Sequence, residues 1–231
     1  MKTSLLDIRH MDCMDLMREF PDKHFILAIC DPPYGINAAE KGVGENTRLK
    51  IIDGRMDAKK WDKQAPPQQY FKELKRVSVN QIVWGGNYFP ALWDKPCRGL
   101  ITWDKGAGMK GRDFCEAEFA WTSIQTVSRI FEYDLLADGN ERKNKIHVCQ
   151  KPVALYRWLL ANYAKPGQTI LDTHLGSGSI AIACHYAGNP LTACELDADY
   201  YAAACERIER ETRQADFLTP TLPRHEQTEL L

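Results

Sequence analysis

Residues Phe25-Ile26-Leu27-Ala28-Ile29-Cys30 form an unbroken apolar run, bounded on one side by Lys23 and closed on the other by Asp31-Pro32-Pro33-Tyr34. A run of this length suits a strand covered on both faces, as in a parallel sheet flanked by helices. The prolines end it. Each lacks an amide hydrogen and has a fixed φ, and Pro33 drives Pro32 toward extended backbone, so neither a ladder nor a helix continues. The resulting turn presents the Asp31 carboxylate, a main-chain carbonyl and the face of Tyr34 at the C-terminal edge of the strand. Ligands of open α/β sheets bind at that edge. Two acceptors and an aromatic plate suit a planar heterocycle carrying an exocyclic amine. Such an amine is a poor nucleophile, because its lone pair is delocalised; hydrogen bonds to Asp31 and the Pro32 carbonyl would favour a pyramidal, reactive nitrogen. The plainer alternative is a strand with a proline turn and Asp31 as a cap.

A chain of 231 residues is long enough for one domain with a sizeable core. Its 44% hydrophobic and 26% charged residues are those of a globular protein, which excludes collagen-like and disordered classes. No apolar run approaches the length of a transmembrane helix. Asp7 interrupts the N-terminus before an apolar core forms, so no signal peptide is expected and the expected location is the cytoplasm. The eight cysteines include no C-x-x-C pair, so they are expected to be reduced and structural, and no metal site is expected. A net charge of −1 does not point to nucleic acid, so a nucleic-acid partner would need local basic patches.

Along the chain, Ser4 to His10 reads as a strand and Met11 to Phe20 as a short helix, with Asp12 at their junction. Asp12 is equally suited to cap that helix or to accept from a cofactor amine. Residues 35–65 mix glycines with lysines and arginines, which fits either a lid over a polyanion or a solvated loop. Pro66 and Pro67 open a helix ending near Val79-Asn80, followed by a strand, Gln81 to Trp84, and the glycine turn Gly85-Gly86. Leu100 to Asp104 is a further strand, and Lys105 to Asp113 a basic loop. Glu116–Thr122 and Thr126–Tyr133 read as antiparallel strands, and Asp138 to Lys145 as a polar stretch.

The last third is a β-α-β-α unit. A helix from Pro152 precedes the strand Thr169 to Asp172, the turn Thr173-His174-Leu175-Gly176-Ser177-Gly178-Ser179 and a helix over Ile180 to Ala187. Leu191 to Cys194 then forms a strand ending at Glu195, and a helix runs from Asp199 to about Arg213. The acid follows the glycine turn at close to the spacing at which a carboxylate holds ribose hydroxyls. The third glycine of G-x-G-x-x-G is missing, which favours a nucleoside without a pyrophosphate; glycines serving only a tight turn are the alternative. The tail after residue 214 is expected to be loosely ordered.

Asp31-Pro32-Pro33-Tyr34, then His147-Val148-Cys149-Gln150-Lys151-Pro152, then Asp172 to Ser179 resemble, in that order, the circularly permuted, β-class DNA amino-methyltransferases. The resemblance spans roughly residues 4–213. It implies a Rossmann-like methyltransferase fold, a mostly parallel twisted sheet with helices on both faces. It further implies one domain over 1–213, with a catalytic half at about 1–104, target-recognition segments at about 35–65 and 105–146, and a cofactor half at about 147–213. The implied activity is methyl transfer from S-adenosylmethionine to the N6 amine of adenine in double-stranded DNA. By the same resemblance Asp31, Pro32, Pro33 and Tyr34 are catalytic. Asp12, His147, Gln150, Lys151, Asp172, Thr173, Gly176, Ser177, Gly178 and Glu195 are cofactor-binding. Thr173-His174 departs from the family, which usually has Pro-Phe there, and His174 is expected to pack or hydrogen-bond rather than carry protons. The exposed faces of the Pro66 and Asp199 helices are candidate surfaces for a homodimer, and a cognate restriction enzyme is a further candidate partner. Cytosine N4 is the alternative target, ahead of RNA or a protein amide. A nicotinamide-dependent oxidoreductase built on Gly176 to Glu195, or a non-catalytic DNA-binding module, are the readings from other classes.

Overall fold

A computed structural model describes residues 1–36, 62–111, 115–134, 137, 145–147 and 149–216. Its strands are β1 (Leu6–His10), β2 (Phe25–Cys30), β3 (Ser78–Trp84), β4 (Leu100–Asp104), β5 (Ala117–Thr122), β6 (Arg129–Glu132), β7 (Ile170–Asp172) and β8 (Leu191–Glu195). Its helices are α1 (Cys13–Arg18), α2 (Gln68–Val77), α3 (Val153–Tyr163), α4 (Ser179–Ala187) and α5 (Ala198–Asp216). The strands form one sheet in the order β1-β8-β7-β2-β3-β5-β4-β6. Only β5 runs against the others among the described strands, being antiparallel to both β3 and β4. The expected mostly parallel sheet is therefore observed.

Alternation along the central strand explains the layers. Leu27 and Ile29 join a core built with Leu155, Leu159, Ile180 and Ile208 from α3, α4 and α5. Ala28 and Cys30 face the opposite core, formed with Leu16 and Met17 of α1 and Tyr70, Phe71 and Leu74 of α2. β2 is thus covered on both sides, as its unbroken apolar sequence requires. No helix among the described residues is long and apolar enough to cross a membrane.

Two sequence expectations are corrected. The helix from Pro66 does not reach Val79-Asn80 but ends at Val77, and β3 begins directly at Ser78. The Ser78 hydroxyl donates to the Leu74 carbonyl and the Lys23 ammonium donates to the Ser78 carbonyl, which stops the helix. β5 and β6 do not pair with each other. β4 lies between them, antiparallel to β5 and parallel to β6. Gly99 permits this: a Cβ there would lie 2.5 Å from the Thr126 carbonyl oxygen, so the connection from β5 to β6 passes against the start of β4. Most of 35–65, most of 134–146 and nearly all of the tail after 214 lie outside the described residues.

Candidate active site

Parallel strands bring their C-terminal ends to one edge. In spatial order that edge carries Asp12 just after β1, Glu195 ending β8, Asp172 ending β7, Asp31 just after β2 and Gly85 just after β3. With neighbouring strands about 4.8 Å apart, β1 to β2 spans about 14 Å, the length of a nucleoside with a substituent. The topology therefore joins residues separated by more than half the chain.

At the β7 end, the turn after Asp172 is fixed from two sides. The Gly176 amide donates to Glu195 Oε2 at 2.9 Å, and the Asp197 amide donates to Glu195 Oε1 at 3.0 Å. On the other side the buried Arg207 donates to the Ser177 carbonyl at 3.1 Å and to Ser179 Oγ at 2.8 Å. Gly178 must be glycine: its φ is +78° and a Cβ would meet Ile208 Cδ1 at 2.9 Å. Around Gly176, a Cβ would meet only the His174 carbonyl, at 3.9 Å, so this side of the turn is open.

Asp172 is buried and accepts the His174 amide at 3.0 Å. Burial pushes its carboxyl up to about 8, an effect the His174 amide opposes. Asp12 caps α1, accepting the Met14 amide at 2.7 Å. It stands next to Glu195, because His10 pairs with Glu195 across β1 and β8. The cap reading is thus observed, at a position that also faces the β8 end. The imidazole of His174 lies 2.9 Å from Thr173 Oγ1, itself 2.6 Å from the Tyr70 hydroxyl. Burial pushes His174 down to about 4, with Asp12 pulling the other way, so the ring is neutral at pH 7.

The β2 end is built differently. The Tyr34 hydroxyl donates to Asp31 Oδ1 at 2.8 Å, and its ring stacks on Tyr88 at 5.0 Å and 16°. Gly85, with φ of +68°, makes room for that ring, since a Cβ would fall 2.2 Å from Tyr34 Cε1. The Lys151 ammonium, only 2% exposed, donates to Asp31 Oδ2 and lies 3.1 Å from Glu118 Oε2. Lys105 closes the cluster, 2.6 Å from Glu118 Oε1. Burial pushes Asp31 up, against the pull of Lys151. Burial also raises Glu118, but Lys151 and Lys105 outweigh it and hold that carboxyl down at about 2.

The segment from His147 to Lys151 bridges the two ends. The Gln150 amide donates to the His147 carbonyl at 3.1 Å, and Gln150 Oε1 accepts the Ile146 amide at 3.0 Å, so the chain turns sharply before α3. His147 packs on Tyr200 of α5 at 4.5 Å, while Lys151 faces Asp31. The structure thus gathers Asp31, Tyr34 and Lys151 in one group and Asp12, Asp172, Gly176 and Glu195 in another. Lys151, grouped with the cofactor residues from sequence, touches the carboxylate of the β2 end. Glu118, Tyr88 and Arg207 were given no site role from sequence, and Lys105, placed from sequence in the basic target-recognition loop, instead pairs with Glu118. An acid opening the apolar strand Ala117 to Thr122 was the one available hint of Glu118.

Residues 100–206, from β4 into α5, match the N6/N4 family model described as DNA methylase. They include Glu118, Lys151, the glycine turn and Glu195, but not Asp31. The chain is 22% identical to the type II methyltransferase M.ScaI of Streptomyces caespitosus, over 92% of this chain and 84% of that protein. Its fold is similar to that of the M1.HpyAVI–SAM complex, with a TM-score of 0.57, 15% identity and coverage of 88% of this chain and 99% of the other. It is also similar to the PvuII DNA methyltransferase (cytosine-N4-specific), with a TM-score of 0.60, 12% identity and 93% of both chains covered.

Proposed function

We propose that this chain, a DNA methylase of the N6/N4 family through residues 100–206, transfers a methyl group from S-adenosylmethionine to the N6 amine of adenine in duplex DNA. The observation that carries this reading is the adjacency of β2 and β7, which sets Asp31-Pro32-Pro33-Tyr34 beside the turn of Gly176 and Gly178. The catalytic strand precedes the cofactor strands in the chain, and we read this order as the circular permutation of the β class.

The donor set fits the cofactor. Asp172 offers a carboxylate at an open turn for an ammonium group, Glu195 retains lone pairs for ribose hydroxyls, and Asp12 is an acceptor for an adenine amine. When bound, S-adenosylmethionine supplies an electrophilic methyl group on a cationic sulfur. Asp31 and the Pro32 carbonyl accept the two hydrogens of the target amine and direct its lone pair toward the β7 turn. An Asp31 oxygen would accept the proton that the amine sheds on gaining the methyl group, and solvent would then remove it. Tyr34, held by its bond to Asp31, is the plate for the extruded base. Stacking worth about 1–3 kcal/mol offsets part of the few kcal/mol that flipping costs. Positioning, rather than a strong base, does most of the catalysis.

An aspartate opening the motif favours adenine. The fold-level likeness to a cytosine-N4-specific enzyme keeps cytosine N4 as the second reading. The test is methyl transfer from labelled S-adenosylmethionine to unmethylated duplex DNA, with nucleoside digestion and mass spectrometry. N6-methyladenine is expected; N4-methylcytosine would replace the base assignment, and no transfer to any nucleic acid would overturn the reading.

A further inference from the structure

Asp31 meets an unusual counter-charge. Lys151 is a buried cation shared between two carboxylates, one on the β2 turn and one on β5. A buried ammonium facing Asp31 alone would form a closed ion pair and take up the acceptor capacity a substrate amine needs. Glu118 prevents that pairing from being exclusive. Alternation on β5 points Glu118 to the same side as Ala120, which packs in the core with α3, and Lys151 stands immediately before α3. Lys105, the first residue after β4, in turn engages the second oxygen of Glu118.

We propose that Glu118 is a positioning residue of the reaction, dividing the Lys151 ammonium with Asp31 so that Asp31 stays an open acceptor, with Lys105 setting how strongly Glu118 competes. This rests on the methyl-transfer reading for its catalytic consequence, but the charge division itself is a property of the cofactor-free protein. It also ties the setting of Asp31 to the loop that starts at Lys105.

Among the described residues, the groups around Asp31 are few enough for a sign test. They are Lys151 and Cys149 before α3, Tyr34 on its own turn, Glu118 on β5, Lys105 behind Glu118, Lys145 beside Cys149, Asp172 on β7 and Tyr156 on α3. Substituting Glu118→Gln keeps an acceptor for Lys151 but removes the competing charge, so the ammonium acts on Asp31 undivided and Asp31 titrates lower. Lys105→Gln leaves Glu118 free to take more of Lys151, so Asp31 titrates higher. Neither residue touches Asp31, and both sit at the partly exposed rim, at 23% and 14%, so both variants are expected to fold.

The measurement is the carbon-13 carboxyl titration of Asp31 in the cofactor-free protein, its resonance assigned by its loss in Asp31→Asn. Opposite displacements of about one pH unit are expected in the two variants. In methyl transfer, the acid limb of the kcat profile should move in the same two directions. Glu118→Gln should lower kcat about tenfold, with KM for S-adenosylmethionine unchanged. Unmoved titrations, or displacement in one direction by both variants, would overturn the proposal. Opposite displacements without methyl transfer in the parent protein would uphold the charge division and overturn the catalytic reading instead.

Discussion

Two carboxylate groups stand on the same sheet edge, Asp31 with Glu118 at one end and Asp172 with Glu195 at the other, and the chain treats them oppositely. Lysines from two separate elements reach the first group. The second has no ion pair among the described residues and is held by backbone amides. The difference matches what each end would take on the methyl-transfer reading. A site whose own cations are in place is set for a neutral ligand such as a base amine. On the methyl-transfer reading, Asp172, whose carboxyl burial pushes up to about 8, would give up its proton on meeting a delivered cation, and S-adenosylmethionine carries two positive charges.

The largest expected effect breaks the first end. Asp31→Ala removes the amine acceptor and leaves Lys151 to Glu118, so methyl transfer should fall by at least about 10²–10³-fold, on the scale of losing one preorganised transition-state partner. Cofactor binding, measured by calorimetry, should persist. Its loss would mean that the two ends are not separable.

Asp172→Asn breaks the second end, and its effects should be the converse. S-adenosylmethionine affinity should drop at least tenfold, while stability rises at high pH. The sign follows from linkage. Folded Asp172 keeps its proton up to about pH 8, whereas the unfolded chain releases it near 4, so the folded state binds more protons in that window and loses stability as pH rises through it. The variant escapes this loss, so its advantage in urea denaturation should grow from pH 5 to pH 9, reaching a few kcal/mol. Glu118 behaves oppositely. Held at about 2, it contributes stability that is present above its unfolded value and lost as pH falls toward 2.

How much of this could be read from the sequence depended on whether a signal was contiguous. Phe25–Cys30 and Leu100–Asp104 were legible to the residue, because each apolar run is closed by its own turn or charge. The edge positions of Asp31, Asp172 and Glu195 were legible because each stands at or just past the end of a strand. The charge cluster was not. Glu118 and Lys105 are single charges at strand ends with no periodicity, and only the order β3-β5-β4 brings them to Lys151. Lys151 shares a sequence segment with His147, but the turn at Gln150 sends the two side chains to opposite ends of the site. The β5-β4-β6 order also escaped, since two consecutive strands with a short link ordinarily pair, and the chain instead passes over Gly99.

A smaller effect tests how Tyr34 is held. Gly85→Ala adds a methyl group 2.2 Å from the Tyr34 ring, at a backbone φ of +68° that disfavours alanine. It should destabilise the fold by about 1–3 kcal/mol. It should also weaken transfer by displacing the plate, without altering cofactor affinity. Equal losses in both would show that the turn after β3 serves the two ends alike.

The smallest effect is expected at His174→Phe, on the boundary between the ends. The imidazole is neutral down to about pH 4, so it carries no charge that either end uses near pH 7. Its ring meets Tyr70 edge-on at 5.4 Å and 73°, a contact phenylalanine reproduces. The bond to Thr173 Oγ1 would be lost, but that hydroxyl keeps the Tyr70 partner at 2.6 Å. Stability should therefore change by no more than about 1 kcal/mol. Cofactor affinity should change less than tenfold, and the pH profile of transfer between 6 and 8 should keep its shape. A limb near pH 6.5 that vanished in the variant would make His174 a proton carrier.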